Sequence, residues 1–234
     1  MDKNAMWNKM IGIIKQDVTP ATGCTEPIAL AYAAATAARE LGEAMRFVDA
    51  RVSANLMKNG MGVTVPGTGT PGLYIAAAVG ALGGDAGAGL QVLKALTPDV
   101  VALGKQYVAD GKVTVSVRED TPHVLYAEAV VYGENHRVRV VITDDHTNIV
   151  FVEKDGQVLL DQRTEAGSGE DPKIAFLHTL TLADIVDFAE HVPLADIAFL
   201  QEAERLNDQL SQEGLTGKYG LKIGYTLQQM VDKD

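Results

Sequence analysis

Cys24 is the only cysteine in this chain of 234 residues, and it stands in Gly23-Cys24-Thr25-Glu26-Pro27, just ahead of an apolar, alanine-rich run from Ile28 to Ala38. A helix N-terminus carries unpaired N–H groups and partial positive charge. A thiol placed there is favoured as thiolate, the form that acts as nucleophile, base or metal ligand. Glu26 opposes this by like charge unless it points away. A buried, inert cysteine is the other outcome these residues allow. A second group is Asn55-Leu56-Met57-Lys58-Asn59-Gly60, where a strand ends and a glycine-rich segment begins. Its two amides and one ammonium suit a carboxylate or other anion. Asn-Gly is also a common turn pair, so a solvated turn fits the same residues.

Val65-Pro66-Gly67-Thr68-Gly69-Thr70-Pro71-Gly72 matches the dinucleotide fingerprint in its spacing of glycines. The acid required about 20 residues on is missing, and no compact strand–helix–strand unit surrounds the motif. Nor does Gly-Lys-Ser/Thr follow it, as a Walker loop requires. The better reading is a backbone anion nest ahead of a helix. Asp144-Asp145-His146-Thr147-Asn148 interrupts two strands and reads as a hairpin loop, in which His146 could serve as general base or ligand. His123, His136, His178 and His191 stand singly and read as structural or surface residues. No His or Cys pair has zinc-ligand spacing, and no Gly-x-Ser-x-Gly elbow is present.

The elements that must position these groups follow from periodicity. Helical spacing covers Trp7 to Asp17, and Val18-Thr19-Pro20-Ala21-Thr22-Gly23 breaks it. A second helix is expected from about Thr25, as its N-cap, to Leu41. Strands are expected at Arg46–Ala54 and Gly62–Val65. Helices should follow at Pro71–Leu82, at Asp85–Ala95, and from Thr97-Pro98-Asp99 to a stop at Gly111. Period-two alternation then starts at Val113. With hairpin signals at Gly133-Glu134-Asn135 and Asp155-Gly156, it predicts an antiparallel meander of strands starting near 113, 124, 137, 149 and 158. A polar connector spans Thr164 to Pro172. Thr181 with Asp184 predicts a capped helix, and Pro193 starts another to about Leu210. A weakly helical segment runs from Thr216 to Asp234, where no stop signal is seen. The fold class is α+β, with helices around an antiparallel or mixed sheet. Three segments, 1–111, 112–163 and 164–234, are expected to form one compact unit.

Composition narrows the functional classes. The net charge of −11 lies wholly in residues 121–234, with 9 basic and 20 acidic side chains, whereas residues 1–120 carry 11 of each. Such a surface aids solubility and argues against nucleic acid as a partner. No run of about 18 apolar residues is present, so neither a membrane span nor membrane association is expected. The N-terminus has no apolar signal core, and one cysteine forms no internal disulfide, which together point to the cytoplasm. Ten of the 23 glycines fall between Gly60 and Gly89, which implies tight backbone packing or close approach to a ligand.

Taken together, segments 23–31, 55–69, 146–150 and 210–221 resemble the bacterial L-cysteine desulfidase family, related to iron–sulfur-dependent L-serine dehydratases. The resemblance implies a lyase that eliminates hydrogen sulfide from L-cysteine, leaving ammonia and pyruvate, with a [4Fe-4S] cluster holding one open iron. It implies Cys24 as transient iron ligand or base, with Glu26, Lys58 and His146 also catalytic. Thr25, Asn55, Asn59, Gly67, Thr68, Gly69 and Asn148 would bind the small amino-acid substrate. Members of that family are longer, and their C-terminal half holds the cluster cysteines. This chain is therefore expected to correspond to the N-terminal half, to bind no cluster alone, and to self-associate or pair with the missing half. An L-serine deaminase or a non-catalytic, partner-binding fragment are the alternatives.

Overall fold

The computed structural model describes residues 2–21, 23–163, 172–218 and 221–231. Thr22, most of the expected connector with Gly167 and Gly169, Tyr219, Gly220 and residues 232–234 lie outside the described residues. In chain order the elements are α1 (Lys3–Asp17), α2 (Thr25–Leu41), β1 (Phe47–Val52), α3 (Ala54–Gly60), β2 (Thr64–Val65), β3 (Thr70–Pro71), α4 (Leu73–Gly83), a 3-10 turn at Gly89–Gln91 and α5 (Pro98–Ala109). The strands β4 (Val113–Val117), β5 (Tyr126–Tyr132), β6 (Arg137–Thr143), β7 (Ile149–Lys154) and β8 (Gln157–Asp161) follow. Then come α6 (Pro172–His178), α7 (Leu182–His191), a 3-10 turn at Leu194–Ile197, α8 (Leu200–Gly214) and α9 (Ile223–Val231). The fold is α+β. The chain divides into two units, Ala21–Ser168 and Met1–Pro20 with Gly169–Asp234, so α1 groups with the C-terminal helices.

In the larger unit, a mixed sheet of order β4-β1-β5-β6-β7-β8 carries α2 and α4 on one face. Strands β5 to β8 pair antiparallel in sequence order, as the period-two pattern predicts. Val113–Val117 is a correction: it lies outside the meander and pairs parallel with β1 at the sheet edge. Alternation shows which face a strand buries but not its direction, and a parallel neighbour is reached only through a long crossover. Here α3, the β2–β3 hairpin, α4 and α5 make that crossover.

Helix α2 reads out its composition. Ile28 and Leu30 are fully buried, each contributing about 2 kcal/mol by leaving water. The alanines between them let neighbours close in. At Gly80 of α4, a Cβ would lie 2.4 Å from the Ala31 carbonyl oxygen, so the two helices touch backbone to backbone. Part of the glycine cluster is thus explained by packing.

Two further expectations need correction. Asp85–Ala95 is not a helix beyond the short turn at Gly89–Gln91, because Gly87 and Gly89 interrupt it and Asp85 caps the Gly87 N–H instead. Asn55–Gly60 is not a turn but belongs to α3, started by Ser53, whose Oγ accepts from the Leu56 N–H at 3.2 Å.

In the smaller unit, Met10 and Ile11 of α1 pack with Phe176, Phe188 and Val192, and Trp7 meets Phe188 edge-on at 6.0 Å. Helix α7 begins with the expected capping box of Thr181 and Asp184. The helix expected from Pro193 starts only at Leu200, after the 3-10 turn. Among the described residues of α8 and α9, none is buried. No helix of the described residues is long and apolar enough to cross a membrane.

Candidate functional site

Cys24 is the N-cap of α2, so Thr25 is the first helical residue rather than the cap. The segment is pinned from outside: a Cβ on Gly23 would lie 2.7 Å from the Pro66 ring, so only glycine lets the chain pass the β2–β3 hairpin this closely. From this position the Cys24 Sγ donates to Glu26 Oε2 at 2.9 Å. Asn59 Nδ2, from α3, donates to Glu26 Oε1 at 3.1 Å. The charge of His146, in the β6–β7 loop, also acts on Glu26. Helices α2 and α3 therefore meet at one carboxylate. Glu26 has no ion-pair partner among the described residues.

The electrostatics reverse the reading of a resident thiolate. Partial burial, the hydrogen bond to the Glu26 carboxylate and its negative charge all push the Cys24 thiol up, and the Glu26 N–H relieves this only in part. For Glu26, burial acts to raise the carboxyl, but the thiol, its own backbone N–H and Asn59 together hold it below its ordinary value, aided by His146. At neutral pH the proton sits on sulfur and the charge on the carboxylate. The helix dipole is outweighed because Glu26 turns toward Cys24.

The other residues divide. Thr25 is half-buried beside the pair. Asn55 lies one turn before Asn59 on α3, exposed, and Lys58 is exposed with no hydrogen bond or ion pair to a described residue. Gly67 and Gly69 take positive φ in the tip of the β2–β3 hairpin. Thr68 is buried and spends its groups within that hairpin: its N–H and hydroxyl both reach the Val65 carbonyl, and its Oγ accepts from the Thr70 N–H. Asn148 is exposed, and its amide closes its own loop by donating to the Thr143 carbonyl at 3.1 Å.

A second polar assembly escaped the reading of spacing. Glu128 on β5 is 2% exposed and accepts through one oxygen from Tyr126, from Arg118 Nη1 at 3.2 Å and from Arg139 Nη2 at 2.7 Å. The available signal was an acid inside the otherwise apolar strand Tyr126–Tyr132, two residues from a tyrosine and facing the arginine-bearing β6.

Comparison with known proteins places these motifs among curated relatives. A protein of Chromobacterium violaceum named UPF0597 protein is 54% identical over 227 residues, covering 97% of this chain and 52% of the relative. A UPF0597 protein of Actinobacillus pleuropneumoniae is 48% identical, covering 99% and 53%. The Escherichia coli K12 protein UPF0597 protein YhaM is 47% identical, covering 98% and 53%. The chain spans about half the length of the curated relatives it matches. No protein-family model and no solved structure matches it.

These names overturn the expected family. The relatives are UPF0597 proteins, not L-cysteine desulfidases, so the lyase reading, with elimination of hydrogen sulfide from cysteine and its serine alternative, falls. The iron–sulfur assignment rested on that family and goes with it. A cluster needs several thiolates. The chain has a single cysteine, a thiol that donates to Glu26, and no group of three or more His, Cys, Asp or Glu among the described residues is placed to hold a metal ion.

Proposed function

We propose that this chain forms one wall of a small-molecule site in which Glu26 receives a cationic nitrogen and the Cys24 thiol passes a proton to or from the bound compound. The observation that carries this reading is the 2.9 Å bond from Cys24 Sγ to a carboxylate held in place by Asn59 from another element. Glu26 is half-buried, charged, and bonded to neutral donors without an ion-pair partner among the described residues, so a cation finds its charge uncompensated. Arrival of that cation offsets the Glu26 charge at sulfur, lowers the thiol toward neutral pH, and so couples binding to proton release. Asn55 and Lys58, exposed beside Asn59, would meet the anionic end of a zwitterionic compound. A working free thiol suits a reducing compartment, and the proposal therefore places the protein in the cytoplasm.

Because Cys24 is the sole cysteine, iodoacetamide labelling reads this site alone. Wild-type protein should label slowly at pH 7, with a midpoint above that of an ordinary thiol. Glu26→Gln removes the negative charge, so its midpoint should fall and labelling at pH 7 should quicken. Simple primary amines should alter wild-type labelling and leave the Gln variant unaffected. Identical pH profiles for the two proteins would remove the basis of the proposal.

A further inference from the structure

The sheet face opposite α2 carries a cavity of about 210 Å³ lined by Arg118, Arg139 and Arg163, with Tyr126, Val141 and Val150 among its apolar and aromatic walls. It shares no residue with the Cys24 site. Its three guanidiniums arrive by independent routes. Arg118 follows β4 and lies 5.1 Å from the Tyr126 ring centre. Arg139 stands on β6, 5.2 Å from the Phe151 ring, and Arg163 follows β8, 4.0 Å from the same ring. The buried Glu128 carboxylate ties Arg118 and Arg139 together beneath the cavity. Asp161 grips Arg163 through Nε and Nη2 at 2.9 and 2.6 Å, and Asp120 accepts from Arg118 Nε on the solvent side.

Donors still outnumber acceptors. The Arg139 Nε is buried and has no hydrogen-bond partner. Arg118 Nη2, Arg139 Nη1 and Arg163 Nη1 make no hydrogen bond to a described residue. A buried N–H without an acceptor costs free energy. The charges of Arg139 and Arg163 also repel each other. One group relieves both conditions, an oxyanion, which matches the planar guanidinium fork.

We propose that this cavity binds a small organic molecule through a carboxylate or phosphate group, held between Arg139 and Arg163 with Arg118 at its side. The apolar walls at Val141 and Val150 leave room for a short carbon skeleton, and the cavity is smaller than a typical drug-sized site.

Titration calorimetry on the intact chain at low salt tests this, with inorganic phosphate and succinate as separate probes. At least one probe should bind saturably at millimolar concentration, and the stronger of the two identifies the headgroup. Arg163 pairs only at the surface, so Arg163→Gln should fold with unchanged Tm and weaken that probe about tenfold. Arg163→Lys, which keeps the charge but loses the fork, should fall between. No saturable heat from either probe, or equal affinity in wild type and Arg163→Gln, would overturn the proposal. Glu26→Gln should leave this binding unchanged, which separates its fate from that of the Cys24 site.

Discussion

Tyr126 and Glu128 stand two residues apart on β5, so the pleat points both to one face and joins them in a hydrogen bond. Burial first, then the hydrogen bond to Glu128 and its charge, push the Tyr126 phenol up to about 12. The folded protein thus holds this proton across a range in which the unfolded chain has lost it. The stabilisation is complete below pH 10 and disappears as pH rises toward 12, a loss of about 3 kcal/mol. Urea unfolding across this range should show the decline in wild type and a flatter profile in Tyr126→Phe; parallel profiles would contradict the assigned burial. The sequence shows Cys24 and Glu26 as a pair because they are two residues apart at a helix start. It hides Tyr126, Glu128 and Arg139 because their meeting depends on the register of β5 against β6, which places Arg139 opposite Val130 and diagonal to Glu128. It also hides the sign of the Cys24 shift, which turns on whether the Glu26 side chain folds back toward sulfur.

At the scale of elements, α2 and α4 are close enough for their backbones to touch. Adding a methyl at Gly80 drives it against the Ala31 backbone, which cannot rotate away as a side chain would. Gly80→Ala should therefore cost about 2 kcal/mol despite the better helix propensity of alanine. Gly12 in α1 is the counterpart: it is exposed, helical, and has nothing within 4 Å of its missing Cβ. Gly12→Ala should stabilise α1 by about 0.5–1 kcal/mol, read as a rise in Tm. Opposite signs from one substitution type test whether helix packing sets the tolerance. Helix α2, the Thr97 cap of α5 and the Thr181 capping box were legible because each is written in neighbouring residues. Helix α3 was not, because its Asn-Gly end imitates a turn while its Ser53 cap lies inside the expected strand. The parallel partner of β1 was not either, since it comes after some 60 residues of intervening chain.

At the scale of the molecule, the two units differ in how much apolar surface supports them. The larger has a continuous core in which Leu30, Leu41, Leu56, Leu73 and Ile142 are at most 1% exposed. The smaller relies on Met10, Ile11, Phe176, Phe188 and Val192, each still 6–8% exposed, while α8 and α9 leave Leu210, Leu227 and Val231 in solvent. Burial of so few side chains leaves little margin over the conformational entropy of ordering the helices. The smaller unit should unfold at the lower denaturant concentration. Trp7 is the single tryptophan and packs on Phe188 inside that unit, so its fluorescence reports the smaller unit alone, whereas the strand signal in far-ultraviolet dichroism comes from the larger. The fluorescence midpoint in urea should therefore precede the dichroism midpoint, and Phe188→Ala should move the first by weakening the Trp7 contact while leaving the second in place. Coincident midpoints in both proteins would show that the two units unfold as one.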